Sequence, residues 1–181
     1  MEEQLQKASF AAGCFWCVEA IFRELGGVIS ATSGYCGGQV ENPSYEQVCT
    51  GKTGHAEAVQ ILYDPRKISY EELLRVFFDT HDPTTPNRQG PDVGPQYKSA
   101  IFYHNGKQRA QAERFKEEFD GSGRWDGPIV TEIVPLRTFH KAEDYHQDYY
   151  DRNPNAQYCR YVIRPKLDKF RRDFKNRLNN T

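Results

Sequence analysis

An apolar run, Ala8 to Ala12, ends at Gly13-Cys14, and from Phe15 onward the apolar residues recur at helical spacing. Phe15, Val18, Phe22 and Leu25 mark one helical face, and Gly26-Gly27 stops the pattern. A buried strand must therefore turn directly into a helix at Cys14, which confines the chain to folds that lay helices against a sheet. The same junction sets up chemistry. At a helix start the first backbone N–H groups are unpaired and the dipole is positive. Both favour the thiolate of Cys14, and the thiolate is the nucleophile. An unremarkable cysteine here would be a small buried hydrophobe, with Phe15 and Trp16 as core neighbours. The glycine at the turn, the adjacent aromatics and Cys17 three residues on favour a reactive site instead.

The 181 residues suffice for one domain with one good core. We expect a single catalytic domain, with a core over about 7–152 and a C-terminal tail over 153–181. The net charge of −1 calls for neither nucleic acid nor an anionic membrane, and a monomer is the working expectation. Met1 to Lys7 is polar and acidic and lacks the apolar stretch of a secretory signal. No apolar run approaches a membrane span. Five cysteines are an odd number and suggest no disulfide framework, so a cytoplasmic protein with reactive thiols is expected. The single Met suits a protein that works where sulfur is being oxidised.

Further along, Val28 to Tyr35 reads as a strand, with Gly34, Gly37 and Gly38 at its exit. Ser44 with Gln47, and Ser69 with Glu72, are capping boxes that open a short helix to Cys49 and a longer one carrying Tyr70, Leu73, Leu74, Phe77 and Phe78. Thr53 to Tyr63 alternates, with His55, Glu57, Val59, Ile61 and Tyr63 on one face. His81 to Gln96 is a long Pro- and Gly-rich loop, and loops of that length are often functional. Then come a strand (Tyr97 to Tyr103), a charged helix (Gln108 to Phe119) and a last strand (Ile129 to Val134). Ala142 to Tyr150 is expected to be helical, Tyr158 to Ile163 extended, and Leu167 to Leu178 a docking terminal helix. The order strand, helix, strand, strand, helix, strand is that of an α/β (α+β) split βαβ, ferredoxin-like, two-layer core. The tail wraps over it.

Gly13-Cys14-Phe15-Trp16, Gly34-Tyr35, Gly54-His55-Ala56-Glu57-Ala58 and Gln96-Tyr97-Lys98-Ser99 together resemble peptide methionine sulfoxide reductases of the A type. The likeness runs in order from near residue 8 to about 163. It implies reduction of the S epimer of methionine sulfoxide, free or in proteins, with thioredoxin as reductant and no metal or organic cofactor. The residues suit that chemistry. Cys14 is a soft nucleophile for the sulfoxide sulfur. By the resemblance, Phe15 and Trp16 form the methyl socket, and aromatic rings pack well on sulfur and methyl groups. Glu57 sits mid-strand among apolar residues; a solvated strand face would explain it blandly. On a buried face its pKa rises and it becomes an acid for the sulfoxide oxygen, as the matching family residue is. Tyr35 and Tyr97 resemble the two tyrosines that donate to that oxygen. Asp92 matches a loop acid that orders the site, though by spacing alone it is equally a turn residue. Pro95 departs from the family's usual small hydroxyl residue. His55 shares the face of Glu57 and is a candidate to orient it; His81, His104, His140 and His146 have no ligand-like company, and the last two read as a polar face.

Attack leaves Cys14 as a sulfenic acid, which a second thiol condenses to a disulfide. Cys159 is the first candidate, because the family often keeps a resolving Cys behind a Tyr, here Tyr158, in a segment expected to swing over the site. Cys17 is the alternative, where the family more often has Gly. Cys36 lies next to Tyr35 and is expected near the site, where a relay or an off-path disulfide is open to it, with Cys49 further on; both read first as bystanders. Two other readings stay open on the residues alone: a general thiol–disulfide oxidoreductase built on Cys14 and Cys17, and a zinc module adding Cys36 or Cys49.

Overall fold

Strand β1 (Gln6–Ala12) is central because its residues alternate between two apolar layers: Phe10 enters a large core on one side and Ala11 a small one on the other. The computed structural model describes residues 4–179. Met1 to Glu3, the first residues of the polar start, and Asn180-Thr181 at the tail's end lie outside the described residues. The other elements are α1 (Phe15–Phe22), β2 (Val28–Cys36), α2 (Tyr45–Cys49), β3 (Ala56–Tyr63), α3 (Tyr70–Asp79), β4 (Arg88–Gln89), β5 (Asp92–Val93), β6 (Ser99–Tyr103), α4 (Gly106–Asp120), β7 (Glu132–Pro135), β8 (Phe139–Lys141), α5 (Tyr149–Arg152) and α6 (Arg164–Asp173). The mixed α/β class expected from the sequence is what the chain adopts. Among the described residues no helix is long and apolar enough to cross a membrane.

The large sheet runs β7-β6-β1-β3-β2-β8, antiparallel except for the β6–β7 pair. The β1–α1–β2 crossover leaves a gap that β3 fills, pairing with both strands. On one face, α1 and α3 cover Phe10, whose ring centroid lies 5.5 Å from Phe22 and 5.0 Å from Phe77. Both predicted capping boxes form, so α2 and α3 begin where their sequences say they should. Cys159, Ile163, Leu167 and Phe170 of the C-terminal stretch complete this core.

The opposite face is not simply solvent-facing, as a two-layer reading implies. Ala11, Cys36, Ala56, Ala58, Ala100 and Phe102 form a thin second core, closed by Val134, Leu136 and Phe139. Gly34 is required there, since a Cβ would lie 2.3 Å from the Phe139 ring. The last strand is therefore not Ile129 to Val134. β7 covers Glu132–Pro135 and a three-residue β8 follows on the far edge of β2. β8 is too short to show a period.

Two tail segments also differ from expectation. Ala142 to Tyr150 is not one helix. Gln147 accepts from the Ser33 N–H at 3.0 Å and donates to the Ser33 carbonyl at 2.9 Å, so the chain continues the edge pairing of β2. Asp148 then adopts φ 55° before α5 begins. Tyr158 to Ile163 is helical rather than extended, and Cys159–Ile163 forms a π turn running into α6. Burying Cys159 and Ile163 on one face outweighs the β-preference of the Tyr-Val-Ile run. The terminal helix ends at Asp173, with Leu178 bridging to Leu25.

Candidate active site

Gly13 turns the chain from β1 into α1 at φ 88°, and a Cβ there would lie 2.6 Å from Gln89. A side chain is excluded on both counts. Cys14 thereby becomes the N-cap of α1 and is 8% exposed. Beside it, β3 supplies Glu57, whose Oε1 accepts the Phe15 N–H at 3.1 Å. Oε2 is left for the acid proton. Burial pushes the Glu57 carboxyl from 4.5 to about 8, against the Phe15 N–H and with Asp92 adding to the rise. Glu57 is therefore a carboxylic acid at neutral pH, which is the state a proton donor needs.

Cys14 departs from its expectation. The helix start favours the thiolate, yet burial and the nearby Glu57 push the thiol well above its usual value, against the Tyr158 hydroxyl and the Trp16 N–H. Desolvation outweighs the partial charge at the head of an eight-residue helix. The resting site thus holds two protons, one on Cys14 and one on Glu57. A basic sulfoxide oxygen supplies the acceptor that the apolar pocket lacks.

The aromatic wall comes from α1 and from the tail. Phe15 is buried, with its ring centroid 5.6 Å from Tyr35. Trp16 lies flat on Tyr149, with centroids 3.8 Å apart and planes at 10°, and meets Tyr158 edge-on at 5.8 Å. Its Nε1–H donates to His146 Nδ1 at 3.0 Å. His146 is completely buried against Phe15, Trp16, Tyr45 and Tyr145, not on a polar face. Because Nδ1 accepts, Nε2 carries the ring proton, and it has no partner among the described residues.

The tyrosines are distributed as follows. Tyr35 stands directly across from Glu57 in the β2–β3 register, but its hydroxyl donates to Glu143 Oε1 at 2.9 Å. The other Glu143 oxygen accepts the Tyr45 N–H at 3.0 Å. Burial works against the Glu143 charge, but its own N–H together with these two donors outweighs it and holds the carboxyl below its usual value. Tyr97 lies in the Pro95–Tyr97 turn just before β6, half-buried near Glu57, Cys14 and Asp92. Pro95 opens that turn, and its carbonyl accepts the Lys98 N–H at 3.3 Å. Tyr158 donates to Asp92 Oδ2 at 2.6 Å and faces the Cys14 sulfur. Asp92 is delivered by the β4–β5 hairpin, so the long loop is not structureless.

Three expectations need correction. His55 does not orient Glu57: its Nδ1 accepts the Gly38 N–H at 3.1 Å and its Nε2 bonds the Val40 carbonyl at 2.7 Å, so both nitrogens pin the loop after β2. Cys36 is not near the site, because strand alternation sends it to the opposite face from Tyr35. Cys159 does not lie in a loose segment but is fully buried in the π turn. Sequence reasoning also missed Glu143, His146 and Tyr149. No local signal marks them, because each acts through a residue more than a hundred positions away. Among the described residues no group of three His, Cys, Asp or Glu is arranged to hold a metal.

A cleft of about 620 Å³, lined by Gly37, Lys98, Glu132, Arg137 and His140, contains none of these groups. Chemistry, not volume, locates the site. Of the five cysteines only Cys49, at the end of α2 near Tyr45 and Glu57, is exposed. In native protein, iodoacetamide is expected to label Cys49 first and Cys14, Cys17, Cys36 and Cys159 more than tenfold more slowly, as read by peptide mapping against time.

Residues 6–178 match the family model described as peptide methionine sulfoxide reductase. The chain is 56% identical over 171 residues to peptide methionine sulfoxide reductase MsrA 1 of Rhodopirellula baltica, covering 94% of this chain and 88% of that one. It is similar in structure to Mxr1 from Saccharomyces cerevisiae in reduced form, with TM-score 0.80 and 36% identity over 88% of this chain and 91% of that one. It is also similar to Mxr1 in complex with Trx2, with TM-score 0.57 and 26% identity over 82% and 87% of the two chains.

Proposed function

Since the chain belongs to the peptide methionine sulfoxide reductase family, we propose that it reduces the S epimer of methionine sulfoxide, free or within proteins, to methionine. The observation that carries this reading is a neutral, buried Glu57 beside Cys14 at the head of α1. The substrate methyl packs on Phe15 and Trp16, and the sulfoxide oxygen turns toward Glu57 and Tyr97, with Tyr35 joining them as a donor when its hydroxyl turns from Glu143 to the oxygen. Asp92 and Tyr158 hold the far wall, and the tail's Tyr149 backs Trp16. One socket with donors on one side admits one configuration at sulfur.

The Cys14 sulfur attacks the substrate sulfur while Glu57 protonates the oxygen, which gains charge as its bond to sulfur breaks. The oxygen ends on Cys14 as a sulfenic acid and methionine leaves. The proton lost by the Cys14 thiol restores Glu57, so a thiol and a sulfoxide become a sulfenic acid and a thioether. A second thiol of the same chain then condenses with that sulfenic acid, forming a disulfide and releasing the oxygen as water, and Cys159 carries the disulfide to the reductant. A thioredoxin dithiol reduces it by exchange, a reading supported by the Mxr1 complex with Trx2. We place this single catalytic domain in the cytoplasm, where five free thiols remain reduced.

The test is a peptide carrying both epimers of methionine sulfoxide, with dithiothreitol as reductant and products separated on a chiral column. Loss of the S epimer alone is expected. Loss of the R epimer, or of both, overturns the socket geometry.

A further inference from the structure

The reduction step leaves the Cys17 thiol, and the lysine set beside it, without a task. Cys17 follows Cys14 by one helical turn, its N–H donating to the Cys14 carbonyl at 3.2 Å, and it is 3% exposed. It neighbours Cys14 on one side and Cys159 on the other. Helix α6 packs against α1 and sets the half-buried Lys166 ammonium facing the Cys17 sulfur. Lys166 also lines a cleft of about 310 Å³ with Thr80, His81, Trp125 and Phe170. The ammonium therefore keeps a path to water that Cys17 lacks. The titratable and charged groups around Cys17 are Lys166 from α6, Asp92 from β5, Cys14 from its own helix and Cys159 from the π turn. Lys166 is the one cation among them. Burial, with Asp92, raises the Cys17 thiol, and Lys166 opposes that rise.

Cys14 and Cys17 ride on one helix, so their sulfurs approach without rearrangement of the backbone between elements. Cys159 belongs to a separate element, buried in the π turn where it meets Cys17. We propose that Lys166 makes Cys17 the thiol that condenses first with the Cys14 sulfenic acid, so that the disulfide passes from Cys14–Cys17 to Cys17–Cys159. This rests on the reading of Cys14 as the oxygen acceptor. In the first step the Cys17 thiolate, paired with the Lys166 ammonium, attacks the Cys14 sulfur. A disulfide bond forms, the S–O bond breaks, and the hydroxide leaves as water with the Glu57 proton. The proton released by Cys17 balances that transfer. In the second step the Cys159 thiolate attacks the Cys17 sulfur and Cys14 returns as a thiol. Lys166 is a positioning residue, touching neither substrate nor the oxygen.

The experiment gives the fully reduced chain one equivalent of methionine S-sulfoxide without reductant, quenches it in acid, alkylates free thiols and maps tryptic peptides. Cys14 and Cys17 share the peptide from Ala8 to Arg23. In Cys159→Ser that peptide is expected to become the main product, lighter by two hydrogens, with one methionine released per chain. In Cys17→Ser, Cys14 is expected to persist as a sulfenic acid trapped by dimedone. Lys166→Met is expected to move the pH midpoint of disulfide formation upward by about one unit or more, with Lys166→Arg restoring it. Methionine released with Cys14 joined directly to Cys159, and Cys17 still free to alkylate, overturns the order. An unmoved midpoint in Lys166→Met overturns the role of the lysine. Absence of released methionine in the unsubstituted chain overturns the reading of Cys14 beneath both.

Discussion

Cys14→Ser is expected to abolish methionine formation, by more than about 10⁴-fold in single turnover, while the protein remains folded. A serine oxygen is a hard, fully protonated nucleophile in a pocket where even the thiol is pushed toward its neutral form. The larger obstacle is the product. Sulfur accepts the substrate oxygen as a sulfenic acid, whereas serine would have to hold it in a weak O–O bond. The Glu57 and Tyr97 donors cannot compensate, since they act on an oxygen that has nowhere to go. Serine is smaller than cysteine but keeps the N-cap preference of that position, so a melting temperature within a few degrees of the parent is expected. Quantifying methionine by mass spectrometry after one turnover, with a thermal scan on the same sample, separates lost chemistry from lost fold. Residual single-turnover activity near the parent value would place the nucleophile elsewhere.

Glu57→Gln is expected to lower the single-turnover rate by about 10²–10⁴ and to raise stability at alkaline pH. The amide keeps a neutral group against the Phe15 N–H but has no acid proton to give. In the parent, the acid form is present below the Glu57 pKa and is lost as pH rises through about 8. The rate of methionine formation should fall along that limb, and the variant should lack it. Stability follows the same proton. The native carboxyl titrates near 8 and the unfolded one near 4.5, so the native state binds more protons between those values. The contribution of Glu57 is fully present below 4.5 and is lost as pH rises through about 8. Each unit of such a rise costs about 1.4 kcal/mol above the native pKa, which puts the burial of an ionised Glu57 at a few kcal/mol. At pH 9 the variant should therefore melt about 5 °C or more above the parent. At pH 4 the two should coincide. A parent and variant that melt together at every pH would mean that Glu57 is not buried as an acid.

Much of the site was legible as residue types at spacings. Gly13-Cys14 between a strand pattern and a helix pattern places Cys14 at a helix start, and it is there. Glu57 among alanines and valine in an alternating run is an odd place for a carboxylate, readable as a solvated face or as a buried acid, and the fold chose the second: it is 1% exposed. Both capping boxes form because each closes within four residues and needs nothing from the rest of the chain. The mixed α/β class was likewise readable from local periods.

The sequence by itself therefore determined which residues would begin and end most elements, and which cysteine would stand beside which aromatics. Only the tertiary structure decided the protonation state of Cys14, because burial in the core, with Glu57 brought alongside it, outweighs both the Tyr158 hydroxyl and the helix that carries the sulfur. It also decided that His146 and Tyr149 back Trp16, that Glu143 holds Tyr35, and that His55 serves a loop instead of Glu57. Tyr158 to Ile163 became a π turn because burying Cys159 and Ile163 together outweighed strand-forming residue types. The physical reason is one of range. Caps, turns and periodic faces are settled by neighbours a few residues away, whereas dielectric, hydrogen-bond partners and side-chain contacts are set by whatever the fold brings alongside, and sequence distance carries no record of that.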